Sequence, residues 1–367
     1  MTELAALKTR LSDWLFQDAL PLWREAGVDP RSGAFQEVLD HAGRPLPLPR
    51  RARVQARQTY VFAWAGGRGW SGDWEGAVRG GIDNFLARHR RPDGFFRTLT
   101  AIDGAPLDEA APLYDQAFAL FALAAVAGRL PDRRAEAEAA AKALRINLDQ
   151  RRNPAGGLVE AGDHPFQSNC HMHLFEASLA WETISSDPAW SALADMVAGL
   201  ALAHFIDAEG GFLREFFDAD WRPAPGPNGR IVEPGHQFEW AWLLDRWAER
   251  RGDGRGRAAA LTLYRIGAEH GIDAGRGVAV DALSDDLGLL SPGARLWPQT
   301  ERLRSALRFG DVEGAKAAAE SLIRYFDMPV RGLWRDKLRA DGGFVDEPAP
   351  ASSLYHIVGA IDALIDA

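Results

Sequence analysis

Two kinds of apolar pattern alternate along the 367 residues. In the first, hydrophobic residues occupy every face of a helical period: "QARQTYVFAWAG" from Gln55, "DQAFALFALAAVAG" from Asp115, "HMHLFEASLAWETI" from His171, "HQFEWAWLLDRW" from His236, "WPQTERLRSALRF" from Trp297 and "SLYHIVGAIDALI" from Ser353. A helix that is apolar all round is buried all round. In the second, one face is apolar and the rest is charged, as in "DWEGAVRGGIDNFLARHR" from Asp73, "PDRRAEAEAAAKALRINLDQ" from Pro131 and "GRGRAAALTLYRIGAEH" from Gly254. The chain opens on a helix of this second kind, with Leu4, Leu7, Leu11, Trp14, Leu15 and Leu22 at helical spacing.

Between an amphipathic helix and the next apolar one lies a third, shorter pattern. A glycine is followed by a large apolar residue, brief alternation and turn residues: "SGAFQEVLDHAGRP", "DGFFRTLTAIDGAP", "GGLVEAGDHP", "GGFLREFFDADWRP", "GRGVAVDALSDDLG" and "RGLWRDKLRADGGF". Each reads as a short β-hairpin. Their marker glycines, Gly33, Gly94, Gly157, Gly211, Gly277 and Gly332, recur every 54 to 66 residues or so, long enough for one helical pair per repeat.

Six buried helices alternating with six amphipathic ones close most simply as two concentric rings. The expected fold is therefore all-α, an (α/α)6 barrel with short β-hairpins at one end, and residues 1–367 form a single catalytic domain. An open solenoid would need polar capping at its ends, and the last helix is as apolar as the middle ones.

The unusual polar residues cluster in the first turns of the six apolar helices: Arg57, Tyr114 and Asp115, His171 and His173, His236 and Glu239, Trp297 and Glu301, Tyr355 and His356. In a closed barrel these starts converge on one cavity mouth, to which unpaired backbone N–H groups and positive helix ends also point. His236 and Glu239 are three residues apart and share a helix face, which lets Glu239 orient or charge the imidazole. Imidazole titrates near neutrality and suits proton transfer in both directions. Other polar and aromatic residues have plainer readings. Trp240, Trp242 and Trp247 are packing residues, and Arg50, Arg51 and Arg53 form a solvated run. Cys170, His171 and His173 invite a metal, but neighbours one or two apart face different ways on a helix, and no zinc-type ligand spacing occurs.

Composition narrows the partners. A net charge of -9 without a basic block gives no footprint for nucleic acid or an anionic membrane. No apolar run reaches the roughly 18 residues of a membrane span. A single cysteine fits a reducing compartment, the cytoplasm by default.

The segments "NCHMHLFEA", "EPGHQFEWAWLL", "RLWPQTE" and "SSLYHIVGA", with "ARQTYVFA" and "LYDQAFALFALAA", resemble the signatures of the N-acylglucosamine 2-epimerase superfamily, in its aldose–ketose isomerase branch. The resemblance runs from about Arg53 to the C-terminus and implies the same (α/α)6 barrel. It places acid–base histidines at His236 and His356, a pocket histidine at His173 and their acidic partner at Glu239. It places sugar contacts at Arg57, Tyr114 and Trp297, and Glu301 in the same "WPQTE" signature is taken with them as substrate-binding. Several members read Trp-Trp where this chain has Leu296 and Trp297. The implied reaction is a 1,2-proton shift through a cis-enediol on a sugar or sugar phosphate, without a cofactor, in a monomer or homodimer. The competing expectations are a sugar 2-epimerase, an (α/α)6 glycoside hydrolase using Glu239 with Asp115 or Glu301, and a noncatalytic binding barrel.

Overall fold

The computed structural model describes residues 3–367. In chain order its helices are α1 (Glu3–Asp13), α2 (Leu20–Glu25), α3 (Ala52–Gly67), α4 (Trp74–Arg88), α5 (Leu113–Arg129), α6 (Arg134–Leu148), α7 (Ser168–Glu182), α8 (Pro188–Leu200), α9 (Pro234–Arg251), α10 (Gly254–His270), α11 (Leu296–Arg308), α12 (Val312–Tyr325) and α13 (Leu354–Asp366). A π-helical segment, Trp14–Ala19, joins α1 to α2, and a second, Ala201–Phe205, prolongs α8. The described residues thus make the six apolar and six amphipathic helical rods that the hydrophobic pattern specifies. Each apolar helix passes to its amphipathic successor through a short turn, whereas every return to an apolar helix runs through one of the long hairpin segments. Each amphipathic helix buries a stripe only, as in α10 with Ala260, Leu263, Tyr264, Ile266 and Gly267.

The chain packs as two compact units: one holds Leu20–Val197 and Pro350–Tyr355, the other the chain up to Ala19, Ala198–Ala349 and His356–Ala367. In the first, α5 packs between α3 and α7, with α4 against α3 and α6 against α5. Trp181 of α7 stacks on Trp190 at 4.9 Å and donates its indole N–H to the Leu120 carbonyl at 2.9 Å. In the second, α9 packs on α10 and α11, and α12 on α11 and α1. There Trp14 stacks flat on Phe326 at 3.9 Å.

The hairpins are bound to the helices by a device that recurs through the repeats. All six marker glycines have φ between 70° and 89°, a left-handed turn that glycine adopts without a Cβ clash. The apolar residue just after the turn is then gripped at both backbone groups by a glutamine from the following apolar helix. Gln55 accepts from the Phe35 N–H and donates to its carbonyl, both at 2.8 Å. Gln116 does the same for Phe96, Gln237 for Leu213 and Gln299 for Ala279. In the third repeat His171 takes the position, accepting the Leu158 N–H at Nε2 (3.0 Å) while Nδ1 donates to the Gln167 carbonyl (2.9 Å). Burial pushes this imidazole down to about 4, so it stays neutral. His171 is structural, and Cys170 beside it is wholly buried.

Each grip satisfies a backbone N–H and C=O that would otherwise be buried unpaired, at a cost of about 1–3 kcal/mol per group. Gln116→Leu is therefore expected to destabilise the fold by about 2–4 kcal/mol, read as a lowered urea midpoint. An unchanged midpoint would show that water or a neighbour replaces the amide.

The arginine run is not a solvated one. Arg50 is buried and bonds Asp29 at 2.7 Å, Arg51 bonds Glu37 at 2.6 Å, and Arg53 reaches Asp115 at 3.3 Å. Arg50 and Arg51 also form a strand that pairs with Leu99 and Thr100 of the next hairpin. The reason lies in that pairing, which carries the run beneath the neighbouring hairpin and forces each guanidinium to find a carboxylate.

Candidate active site

The second unit gathers His236 of α9, Trp297 and Glu301 of α11, and His356 of α13. The Trp297 ring lies beside both imidazoles, 4.9 Å from His236 and 5.7 Å from His356 between ring centres. Gly235 permits this approach, because a Cβ there would run into the indole.

Each histidine is held by a carboxylate. His356 Nδ1 lies 2.9 Å from Glu301 Oε1, and His236 Nδ1 lies 2.8 Å from Glu215 Oε2. A carboxylate only accepts, so Nδ1 carries the hydrogen in both rings and Nε2 is the basic nitrogen. The expected pairing of His236 with Glu239 does not form. The hairpin carboxylate Glu215 takes the ring instead, and Glu239 lies in a group with Glu301 and His356 whose nearest polar atoms fall within 4.8 Å of one another.

Glu215 was missed in the sequence although the repeats mark it. Two residues after the gripped apolar position stand Glu37, Glu160, Glu215 and Asp281, in "FQE", "LVE", "LRE" and "AVD". In the first and fifth repeats this carboxylate caps the following helix. Glu37 accepts the Arg51 N–H at 2.7 Å and Asp281 the Arg295 N–H at 3.0 Å, and each also pairs with that arginine's side chain. The fourth repeat has Glu233 where the first and fifth have Arg51 and Arg295. Glu215 still faces the Glu233 N–H at 3.4 Å, but with no guanidinium there its other oxygen serves His236. Glu233 adds a second carboxylate 3.8 Å from the same nitrogen and is itself tied to Arg295 at 3.0 Å.

These surroundings set the charge on His236. Burial disfavours a charged His236, but the charges of Glu215 and Glu233 and the Glu215 hydrogen bond outweigh it, so its pKa rises above the ordinary value of 6.5. Glu301 is shared: Oε2 accepts the Trp242 indole N–H at 2.9 Å and Arg304 at 3.2 Å. Burial opposes its ionisation, yet Arg304, His356 and Trp242 together hold it well below the usual carboxylate range. Trp242 is buried as a packing residue should be, and it is also a donor.

Glu239, Glu301 and His356 form a three-ligand group that sequence spacing hides. Its Nδ1 and Glu301 oxygens already bond one another, Trp242 and Arg304, and a guanidinium at the carboxylate works against a cation. The donor set suits a proton relay better than a metal centre.

The first unit gathers the other expected residues. Arg57 donates to the Tyr114 hydroxyl at 2.6 Å and to the Ser352 carbonyl at 3.2 Å, with its guanidinium 4.1 Å over the Phe118 ring. His173 packs edge-on against Tyr114 at 4.9 Å and lies 3.6 Å from Glu176, which also accepts a hydrogen bond from Tyr355. Glu176 was also missed, although "HLFE" places it on the His173 face. Asp115 is wholly buried beside Arg53.

Comparison with solved structures settles the class of fold. The chain superposes over 99% of its length on all of a cellobiose 2-epimerase from Bacillus thermoamylovorans B4167, with a TM-score of 0.88 at 16% identity. It superposes over 99% on 97% of a D-mannose isomerase, with a TM-score of 0.85 at 19% identity. The fold is the all-α (α/α)6 barrel with short hairpin strands. Sequence carries the relationship further: the N-acylglucosamine 2-epimerase (GlcNAc 2-epimerase) family model matches residues 33–360, and the chain belongs to that family. It is 50% identical to a protein of Rhizobium meliloti (strain 1021) named mannose-6-phosphate isomerase, over 97% of this chain and 96% of that one. Among the described residues no helix is long and apolar enough to cross a membrane.

Proposed function

We propose that this protein is a cytoplasmic aldose–ketose isomerase that interconverts a mannose-type sugar, free or as its 6-phosphate, with the corresponding 2-ketose. The observation that carries the proposal is the pair of carboxylate-bound histidines flanking Trp297. Half identity to a protein named mannose-6-phosphate isomerase supports the direction of the chemistry.

In this reading the open-chain aldose lies against Trp297. His356, neutral, takes the C2 proton at Nε2 while His236, as imidazolium, donates to the carbonyl oxygen O1. The cis-enediol that forms is reprotonated at C1 by His356, and His236 recovers the O2 proton, so atoms and charge balance without a redox partner. Helix starts favour the developing oxyanion. Arg57, Tyr114 and His173 bind sugar hydroxyls in this scheme, and Glu239 orders the His356 side. One catalytic domain spans residues 1–367.

A hydrolase reading with Glu301 as its acid fits less well, because glycoside cleavage needs a carboxylic acid that keeps its proton, and Glu301 is held ionised by Arg304, His356 and Trp242. Sugar 2-epimerisation is the nearer alternative, since two histidines beside one ring could serve both faces of C2. Incubation with mannose, mannose 6-phosphate, N-acetylglucosamine and cellobiose, followed by NMR of the sugars, separates the two. Ketose from a mannose-type sugar is the expected product; an epimeric aldose without ketose would replace this reading by the epimerase.

A further inference from the structure

Behind the Glu301–His356 pair lies a layer that the acid–base scheme leaves unused. The Arg304 guanidinium donates to Glu301 at 3.2 Å, and its central carbon lies 3.8 Å from the centre of the Trp242 ring. It also lies against Gly359, where an added Cβ would come within 3.1 Å of the guanidinium carbon. Trp242 is on the helix of His236, Gly359 is one turn beyond His356, and Arg304 is one turn beyond Glu301. One cation therefore joins the three helices that carry the histidines and their carboxylate. A cavity of about 390 Å³ opens on its outer side, lined by Trp242, Arg246, Arg304, Arg308, Gly359 and Asp362.

Within this unit Glu301 and Glu239 both stand beside His356, with Arg304 beyond Glu301 and His236 across Trp297. Two carboxylates against an imidazole draw a proton onto the ring, as Glu215 and Glu233 do at His236. A base must instead be neutral when substrate arrives. At His236 the guanidinium of Arg295 bonds Glu233, the farther of the two carboxylates; at His356 the guanidinium of Arg304 bonds the carboxylate that holds Nδ1 itself.

We propose that Arg304 is a positioning residue that keeps His356 in its neutral, proton-accepting form by sharing the Glu301 carboxylate, and that Trp242 and Gly359 form the slot that holds the guanidinium there. This rests on the reading of His356 as the base. With Arg304 in place, Glu301 still fixes the Nδ1–H tautomer but presents only part of its charge to the ring. Without it, the Glu301–His356 pair holds one more proton at neutral pH, and the ring cannot accept from C2 until that proton is lost.

The test is a titration of the histidine ring signals by NMR in the sugar-free protein, with His356→Asn used to assign the resonance. In Arg304→Gln the His356 pKa is expected to rise by about one unit, with His236 unmoved as the internal control. Arg304→Lys keeps the charge and should leave the His356 value nearly in place. Gly359→Ala displaces the guanidinium by a few tenths of an ångström, so it should shift the ring in the same direction by less while raising, not lowering, the melting temperature, since alanine is the better helix residue. In turnover, the acid limb of the pH profile of Arg304→Gln should move upward with the ring. Guanidinium ion, admitted by the cavity, should restore Arg304→Ala where urea does not. An unmoved or lowered His356 pKa in folded Arg304→Gln, or, should that variant not fold, in Gly359→Ala, overturns the proposal. A raised ring pKa with no change in the pH profile would leave Arg304 setting the charge of His356 and would instead remove His356 as the base.

Discussion

Replacing His356 with Asn is expected to lower kcat by about a hundred to ten thousand fold while the circular dichroism and urea midpoint stay near those of the parent. Asparagine can keep the hydrogen bond to Glu301 but has no nitrogen that titrates near neutrality. His236→Asn should lose activity on the same scale, because the acid at O1 and the base at C2 act in one step. KM should change far less than kcat in both, since neither ring is the main contact for the resting sugar. Near-normal turnover in either variant would make that histidine structural, as His171 is, and would pass its role to His173.

The second large effect concerns Glu215, a residue in a hairpin. Glu215→Gln keeps the hydrogen bond to His236 Nδ1 in size and reach but removes the charge that most favours the imidazolium. Burial then dominates and the ring pKa falls. Because His236 works as the acid, activity is lost as pH rises through its folded pKa, which in the parent lies above 6.5. The substitution should move that alkaline limb down by about one unit or more and lower kcat at pH 8 by roughly tenfold to a hundredfold. A limb that stays in place would mean that Glu233 alone sets the charge, and Glu233→Gln would then produce the shift.

The rods, the hairpins and the helix starts were legible because each depends on local periodicity. All-round apolarity marked the buried helices, and glycine marked the turns that proved to have positive φ. His236, His356, Trp297 and Glu301 were legible because they are polar or bulky residues at the head of helices with no solvent face. What the residues did not disclose were contacts made across the chain. Glu239 is the partner that helix spacing offers His236, because three residues on a helix is a short reach, whereas the ring's partner comes from a hairpin 21 positions earlier. That partner could be found by aligning the repeats, where glutamate replaces arginine at position 233 and frees the capping carboxylate. The arginine run misled for a related reason, since a strand pairing set by the next hairpin decides its burial. Arg304 gave no signal at all: on the most polar of the apolar helices it looks like one more exposed cation, and only the Trp242 ring and the missing side chain at Gly359 reveal its slot.

The central claim is that one histidine carries a hydrogen from C2 to C1 of the same sugar. The direct measurement is the fate of that hydrogen when mannose, or its 6-phosphate, is converted in D2O and the ketose is examined by NMR. Expected is a ketose bearing deuterium at C1 in less than full amount, because part of the abstracted proton returns from His356 before it exchanges. Deuterium found only at C2 of an epimeric aldose, with no labelled ketose, would contradict it.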